Sequence, residues 1–406
     1  MKRKLLCVIT AVVAICAFIV TAYATVVTYT NTETEHVATL PSREIDNVTY
    51  SGVGGLAIGR KHNSMFVMKA ETQEGNPTEQ NALLYDFPDI DNPSNVHYYR
   101  LNHAGHANAM TIDDTNIYVC GWTKIDHYDG SNQSNNKYNN WVLMIPRKMF
   151  TSLRKGANGV YMHKYNKNTP DIPGYSILYP KVKTILADGS VKYSDYMKTI
   201  NSISKYNDSE TFIIGYNMAQ KSERAKQIRA DLGDDMAFTT ARLEEYNGRT
   251  YFVVSEEQED IFVVKNNVAN KDAVDQDIGY APGHGLFIPK WYGGSAANPY
   301  YKPTKTVIMW ANIDSEASSK IIDGTSYRYY IPNRIVIDKS KDKDSNGNLL
   351  YTKFEPESIA FTKDENGYDG SLLFSCNTLR NSSADGAYKD SVFKLTHDGG
   401  QGFSLN

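Results

Sequence analysis

The run Asn108-Ala-Met-Thr111, the turn Asp113-Asp114 and the run Asn116-Ile-Tyr-Val-Cys120 together show the pattern that decides the fold. A short apolar run, a polar turn and a longer run of β-branched and aromatic residues predict two antiparallel strands. The same order recurs in the segments 55–68, 201–214, 240–254, 285–310 and 357–375. A second hairpin usually follows, so the repeating unit has about four strands.

One such unit cannot bury both faces of its sheet, so several units must stack radially. The repeat therefore predicts an all-β fold, a β-propeller of about six or seven four-stranded blades, one of them a degenerate unit between Met149 and Lys198. A β-sandwich is the alternative that also gives many short strands. Helix signals are confined to Asn217–Leu232, which Gly233 can cap, and to a shorter segment near Pro146–Leu153.

The N-terminus has the pattern of a secretory signal. A basic start, Lys2 to Lys4, precedes the uncharged apolar run Leu5–Val20, and Ala22-Tyr-Ala24 fits signal-peptidase cleavage. We expect residues 1–24 to be a signal peptide, residues 25–45 an N-terminal extension and residues 46–406 the propeller domain. An uncleaved signal-anchor is the alternative, and it is the only membrane contact that we expect. In either case the domain is secreted or extracytoplasmic at the cell surface.

Charge and cysteine content narrow the class of partner. The chain has 43 basic and 46 acidic residues, and loss of Lys2, Arg3 and Lys4 would leave 40 basic residues and a net charge of −6. Binding to phosphate backbones needs clustered Lys and Arg, so we expect no nucleic-acid partner.

Cys120 and Cys376 each end an apolar run, and we interpret them as buried free thiols, with a disulfide as the alternative.

Two short motifs carry a family resemblance. Gly105-His-Ala-Asn-Ala-Met-Thr111 and Gly283-His-Gly285 resemble the Gly-His turns that precede blade strands in bacterial and phage propellers. That group comprises phage receptor-binding proteins and exported proteins linked to teichoic-acid metabolism. The resemblance implies a surface glycan or a cell-wall polymer as ligand.

Polar residues that precede inner strands are candidates for chemistry, since they face the mouth of a propeller channel. His106, His284 and Glu357 occupy such positions, with Asn108 and Arg242 as candidate ligand contacts. Two imidazoles and a carboxylate that converge would bind a divalent cation or act as general acid and base. The alternative is a structural lining that binds water and neighbouring blades. No hydrolase elbow, zinc-protease helix or phosphate loop accompanies these residues.

Aromatic residues in or beside the longest inserted segments suggest a sugar-binding surface, because tyrosine and tryptophan rings stack on sugar faces. The candidates are Trp291, Tyr292, Tyr300, Tyr301 and Tyr329, which Trp122 and Trp141 could join. Packing between blades is the alternative role.

Asp342, Asp344 and Asn346 copy the first half of a calcium loop, but Lys353 stands where a bidentate Glu is required, so an Asn-Gly hairpin turn is the ordinary interpretation.

Three functions follow from these features. The leading hypothesis is a non-catalytic, exported propeller that binds a cell-envelope or environmental glycan and requires no cofactor. The second is a hydrolase or lyase centred on the channel, which would use His106, His284 and Glu357 with or without a divalent cation. The third is an extracellular platform for protein–protein interaction.

Overall fold

The structure is a computed structural model, and it describes residues 26–30, 32–59, 64–72, 81–102, 104–122, 140–164, 174–196, 198–206, 210–217, 223–234, 236–255, 261–265, 274–291, 303–315, 317–362, 371–381 and 388–397. Nearly all regular structure in these residues is β-strand, and the strands, numbered in chain order, form five sheets.

The first two sheets follow one another in the chain. Sheet 1 contains β3 (Arg43–Ile45), β4 (Val48–Ile58), β5 (Met65–Glu71), β6 (Ala82–Phe87) and β7 (His97–Leu101), in that spatial order. Sheet 2 contains β8 (Met110–Ile112), β9 (Asn116–Trp122), β10 (Asn140–Pro146), β12 (Gly174–Leu178) and β11 (His163–Lys164), in that spatial order.

Sheet 3 is the largest. It contains β13 (Pro180–Ile185), β14 (Val191–Asp195), β15 (Ile200–Lys205), β16 (Thr211–Asn217), β17 (Met236–Tyr246), β18 (Arg249–Val254), β19 (Phe262–Val264), β24 (Ser318–Ile322) and β25 (Thr325–Tyr330). The long strand β17 pairs with β16 along one edge and with both β18 and β19 along the other. The part formed by β14, β13, β18 and the end of β17 therefore projects from the sheet.

The last two sheets each include a strand from the beginning of the chain. Sheet 4 contains β1 (Thr28–Tyr29), β20 (Val274–Asp275), β21 (Gly279–Ala281), β22 (Gly285–Trp291), β23 (Lys305–Ala311) and β26 (Asn333–Asp338). Sheet 5 contains β27 (Tyr351–Phe361), β28 (Leu372–Arg380), β29 (Ser391–His397) and β2 (Thr32–Thr39), in that spatial order.

The sheets are arranged as a propeller. The inner strands β4, β8, β15, β21 and β27 contact one another in cyclic order, and β27 contacts β4 to close the ring. The apolar core lies between adjacent sheets, with one cluster at each of the five junctions: Phe66 with Leu143, Cys120 with Phe212, Phe238 with Ile288, Phe287 with Phe374, and Val67 with Val392. The predicted propeller is confirmed.

The described residues form five sheets, against the six or seven blades predicted. Two of the sequence units, 201–214 and 240–254, belong to the same sheet because β17 continues from the first unit into the second. The unit 285–310 supplies the second and third strands of sheet 4, whose inner strand β21 has only three residues. A strand that short gives almost no periodic signal in the sequence.

Helices are few. A 3₁₀ turn at Arg147–Met149 leads into α1 (Phe150–Leu153), and α2 spans Glu223–Leu232. Gly233, with φ of 78°, ends α2 and its N–H donates to Arg229 O at 2.9 Å, as the predicted cap requires. No helix in the described ranges is long and apolar enough to cross a membrane.

Both cysteines of the domain are buried free thiols, as predicted. Burial raises the pKa of the Cys120 and Cys376 thiols well above the usual value, so both stay protonated and unreactive.

The ring is closed by the beginning of the chain. Strand β2, within the segment 25–45 predicted as an extension, pairs with β29 as the outermost strand of sheet 5. Next to this closure the Lys69 ammonium, which is fully buried, contacts Asp390 Oδ2 at 3.0 Å and donates to Leu40 O at 2.8 Å. Lys69 thus joins sheet 1, the linker after β2 and the turn before β29.

We predict that Lys69→Met lowers the free energy of unfolding by about 3–5 kcal/mol, because the buried Asp390 carboxylate loses its cation. Chemical and thermal unfolding followed by circular dichroism measures the effect. Lys226→Met is the matched control, since the Lys226 side chain is 58% exposed and its ion pair lies on the surface of α2. Equal stability of the two variants would contradict the role of Lys69 in closure.

Candidate functional site

Hydrogen bonds between neighbouring inner strands line the propeller axis. Each inner strand has an open edge toward the axis, and side chains of the next sheet satisfy its N–H groups. Ser358 Oγ accepts from Leu56 N at 2.8 Å, and Ser204 Oγ accepts from Tyr280 N at 2.9 Å. Thr111 Oγ1 accepts from Lys205 N at 3.0 Å. Residues at the C-terminal ends of all five inner strands line one pocket, with Ile58, Ile112, Lys205, Tyr280 and Phe361 among its residues. The inner strands therefore run in the same direction and begin at one face, which we call the upper face.

Asp277, which is fully buried, is the central group of this network. Ser358 Oγ donates to Asp277 Oδ2. Burial raises the pKa of Asp277 well above its usual value, although hydrogen bonds from Ser358 and from the amides of Ile278, Ile203 and Ile359 oppose the shift. Asp277 joins sheets 3, 4 and 5 at the axis, and we interpret it as a structural residue.

A pair of buried carboxyl groups lies nearer the upper face, on β27. Glu355 and Glu357 are 8% and 7% exposed and lie two residues apart on the same strand. Glu357 is the extra residue of a β-bulge, since the register with β28 shifts between Pro356 and Ser358. Burial, followed by the nearby Glu355 charge, raises the pKa of Glu357 well above its usual value. Burial and the neighbouring Glu355 carboxyl therefore favour the protonated form of Glu357.

Polar groups from two sheets surround this carboxyl pair. Gln276 Nε2 donates to Glu355 Oε1 at 2.9 Å, and Lys353 Nζ forms an ion pair with Glu355 Oε2. The Asn377 side chain donates to Glu357. The Lys353 ammonium also lies 5.1 Å from the centroid of the Trp291 ring, which is half-buried. We call Trp291, Gln276, Lys353, Glu355, Glu357 and Asn377 the upper-face site.

Two further amides at the beginning of inner strands have an unused acceptor. Asn108 precedes β8, and Asn201 is the second residue of β15. The side-chain oxygens Asn108 Oδ1 and Asn201 Oδ1 are buried and have no hydrogen-bond partner among the described residues. A buried polar atom left without a partner costs about 1–3 kcal/mol, so a ligand or water is expected there.

The structure does not bring the two predicted imidazoles together. His106 is half-buried in the turn before β8, at the upper face. Gly283-His284-Gly285 forms the hairpin turn after β21, where His284 N donates to Ala281 O at 3.0 Å. His284 therefore lies at the opposite end of the inner strands from His106 and Glu357. The expected convergence of His106, His284 and Glu357 does not occur.

The other predicted ligand contacts are dispersed. Arg242 lies on the projecting part of sheet 3, where its side chain is 61% exposed and pairs with Glu244 at 2.6 Å. Tyr329 lies on β25, with the Lys265 ammonium 5.6 Å from its ring centroid. Trp141 is buried in the core between sheets 1 and 2. Tyr292, Tyr300, Tyr301 and the side chain of Trp122 lie outside the described residues.

The segment that resembles half a calcium loop is a hydrogen-bonded turn. Asp344 Oδ1 accepts from Asn346 N at 2.9 Å and from Asn348 N at 2.8 Å, and Asp342 accepts from Lys339 Nζ at 2.8 Å. These bonds fit the Asn-Gly hairpin interpretation. Across the ranges that the structure describes, no three His, Cys, Asp or Glu side chains are grouped to hold a metal ion.

Sequence reasoning singled out Glu357 but missed Glu355, Lys353 and Gln276. A signal was present, because Lys353, Glu355 and Glu357 alternate along one strand. Alternation places successive polar residues on the same face of a sheet.

The fold and the site define a β-propeller with two buried carboxyl groups near its upper face. No protein-family model matches the chain, and neither does any curated protein. Among solved structures, a levansucrase variant from B. megaterium has 9% identity and a TM-score of 0.40, over 92% of this chain and 90% of that chain. Trypanosoma rangeli sialidase has 9% identity and a TM-score of 0.33, over 91% and 60%. Synechocystis apocarotenoid oxygenase has 7% identity and a TM-score of 0.30, over 85% and 65%. Likenesses at this level say nothing about shared chemistry.

The carboxyl pair makes stability depend on pH. Native Glu357 keeps a proton that the unfolded chain releases above its ordinary pKa of 4.5. The free energy of unfolding should therefore fall as pH rises from that value toward the raised native pKa, by up to about 1.4 kcal/mol per pH unit. We predict that Glu357→Gln removes this component and is less sensitive to pH between about pH 5 and pH 8.

Urea unfolding across that pH range measures the difference. Asp277 and Asp86 also have raised pKa values, but they contribute equally to wild type and variant. Glu223→Gln is the control, because that side chain is 88% exposed and the change should leave the pH profile as in wild type. Parallel profiles for wild type and Glu357→Gln would show that Glu357 is ionised in the native protein.

Proposed function

We propose that the protein is an exported propeller that binds a cell-envelope or environmental glycan at the upper-face site. The observation that carries the proposal is the half-buried Trp291 indole beside a largely buried set of hydrogen-bonding groups from its own sheet and from the neighbouring sheet 5. An aromatic ring with amide, carboxyl and ammonium groups beside it suits a polyhydroxylated ligand, because the ring stacks on the sugar face while the polar groups bond hydroxyls.

The unused acceptors support the same proposal. Asn108 Oδ1 and Asn201 Oδ1 are buried near the upper face, on two other sheets. Sugar hydroxyls donate hydrogen bonds, so a ligand that extended over the mouth would satisfy them. The site then includes inner-strand positions of four sheets. Export remains a proposal from the signal pattern at residues 1–24.

We predict that Trp291→Ala weakens glycan binding at least about tenfold, because a stacked aromatic anchor usually contributes 2 kcal/mol or more. A glycan array identifies the ligand and isothermal titration calorimetry measures the affinity. Tyr246→Ala is the matched control, since Tyr246 is a partly exposed aromatic residue on the projecting part of sheet 3. Unchanged affinity in Trp291→Ala, or failure of the wild type to bind any glycan, would contradict the proposal.

A second candidate function is acid catalysis on the same ligand, and the protonated Glu357 favours it. A carboxylic acid kept neutral by burial can donate a proton at neutral pH. The burial of both side chains favours binding, however, because Glu355 and Glu357 are only 8% and 7% exposed. The acid and the nucleophile of a retaining glycosidase are separated by about 5 Å, with the sugar between them.

The catalytic candidate makes its own prediction. If Glu357 is a general acid, the wild type releases new reducing ends from the glycan that it binds, and Glu357→Gln lowers that rate at least about 100-fold. Glu223→Gln, on the exposed face of α2, should retain the wild-type rate. A wild type that binds its glycan for hours without releasing reducing ends removes this candidate and leaves binding as the function.

A further inference from the structure

We propose that the projecting part of sheet 3 contains a second ligand site, a groove that binds a carboxylate or phosphate group between Lys183 and Arg242. The groove has a volume of about 610 Å³, which lies within the range of small-molecule sites. It lies on sheet 3, whereas Trp291 and the two buried carboxyl groups of the upper-face site lie on sheets 4 and 5. This inference therefore does not depend on the proposed function.

The groove forms where one strand of the sheet ends before its neighbours. Strand β18 lies between β13 and β17 and ends at Val254, which pairs with Val182 on one side and Ala241 on the other. Beyond this point β13 continues to Ile185, and β17 extends back through Thr240. Neighbouring strands are about 4.8 Å apart, so β13 and β17 are separated here by roughly 10 Å. The described lining of the groove comes from both of these strands and from the end of β18.

The charged groups of the groove are cations. Among the described residues that line it, only Lys183 and Arg242 carry a charge. Both contact the same carboxylate beside the groove, since Lys183 Nζ donates to Glu244 Oε2 at 2.8 Å and Arg242 Nε donates to Glu244 Oε1 at 2.6 Å. Two cations thus share one carboxylate, and a net positive charge remains at the groove of a chain whose net charge is −3. This local excess attracts an anion.

The shared carboxylate holds the two cations in place and leaves donors for a ligand. Burial acts to raise the pKa of Glu244, but hydrogen bonds from both cations and from Tyr193 OH lower it, so Glu244 stays ionised. The Nε bond uses one of the five guanidinium N–H groups of Arg242, whose side chain is 61% exposed. The Nη1 and Nη2 groups suit a carboxylate or a phosphate, which guanidinium binds through two parallel hydrogen bonds.

The rest of the groove suits the body of a larger molecule. Its lining combines the hydroxyl groups of Thr184 and Thr240 with the apolar side chains of Ile185 and Val253. A groove of this volume is larger than a single anionic group requires. A ligand that carries one anionic group on a hydroxylated body, such as a sugar acid or a sugar phosphate, matches this combination of charged, polar and apolar groups.

The test uses three probes that share one sugar ring and differ only in the group at carbon 6, namely glucose, glucuronate and glucose 6-phosphate. Isothermal titration calorimetry at low salt measures their binding to the whole protein. We expect at least one anionic probe to bind at least about tenfold more tightly than glucose, and added salt to reduce that difference. Binding of glucuronate alone identifies a carboxylate ligand, and binding of glucose 6-phosphate alone identifies a phosphate ligand.

Two substitutions at the groove should change the affinity in opposite directions. Arg242→Gln removes the guanidinium and should weaken binding of the anionic probe about tenfold. Glu244→Gln removes the carboxylate that competes for both cations, so it should tighten binding. Arg249→Gln is the matched control, because Arg249 is an exposed arginine of β18 outside the groove and its loss should leave the affinity as in wild type.

Three results would overturn this inference. The first is that no anionic probe binds more tightly than glucose. The second is an equal loss of affinity in Arg242→Gln and Arg249→Gln, which shows diffuse attraction to the positive surface. The third is weaker binding in a Glu244→Gln variant that has the circular dichroism spectrum of wild type. The comparison of Arg242→Gln with Arg249→Gln concerns two exposed side chains, so it decides the question even if Glu244→Gln folds poorly. Trp291→Ala should leave this binding unchanged, so failure at the upper-face site and failure here are separate results.

Discussion

The rest of the structure depends on the hydrogen bonds that join the inner strands around the axis. Five radial sheets each present an open strand edge to the centre, and buried N–H and C=O groups on such an edge must be paired. The fold pairs them across the junctions between sheets. Gly55 N donates to Ala107 O at 2.7 Å, Ser375 Oγ donates to Gly54 O at 2.8 Å, and Asp277 bonds both neighbouring strands. Every junction of the ring thus has at least one bond near the axis.

This constraint explains why small residues lie on β4. A Cβ at Gly54 would come within 2.5 Å of Ala107 O, and one at Gly55 within 2.7 Å of Met110 Cβ. Gly54 and Gly55 lie within β4 and allow the first two sheets to approach. The same constraint makes much of the buried polarity structural. The side chains of Thr111, Ser204, Ser358 and Ser375 bond backbone groups near the axis, so their burial is not by itself a sign of function.

How well the sequence predicts a feature depends on whether neighbouring residues or contacts between distant residues determine that feature. Strand pairs, the radial architecture, the buried thiols and the cap of α2 are local or additive patterns, and each was predictable. The position of His284 was not, because it depends on β21, whose three residues precede the Gly-His turn rather than follow it. Because the inner strand is so short, the sequence does not show whether the Gly-His turn precedes or follows it. Only the contacts between the inner strands around the axis decide this. Closure by β2 depends on pairing between the two ends of the chain, for which the sequence carries no local signal.

The hydrogen-bond partners of the buried polar groups distinguish those with a structural role from the candidates for a functional role. The Lys69 ammonium has three protein partners, in two segments, so it has little capacity left for a ligand. Asn108 and Asn201 each have an acceptor that the described protein does not use. Glu357 is different again, because burial and the neighbouring Glu355 carboxyl raise its pKa and so disfavour its charged form. A glutamine at position 357 would have nearly the same shape and no charge. Burial of an acid beside a carboxylate costs free energy of folding that this glutamine would avoid, so fold stability does not explain the presence of Glu357. Such a cost is typical of sites kept for binding or chemistry, and it supports the proposal that the ligand binds at the upper ends of sheets 4 and 5.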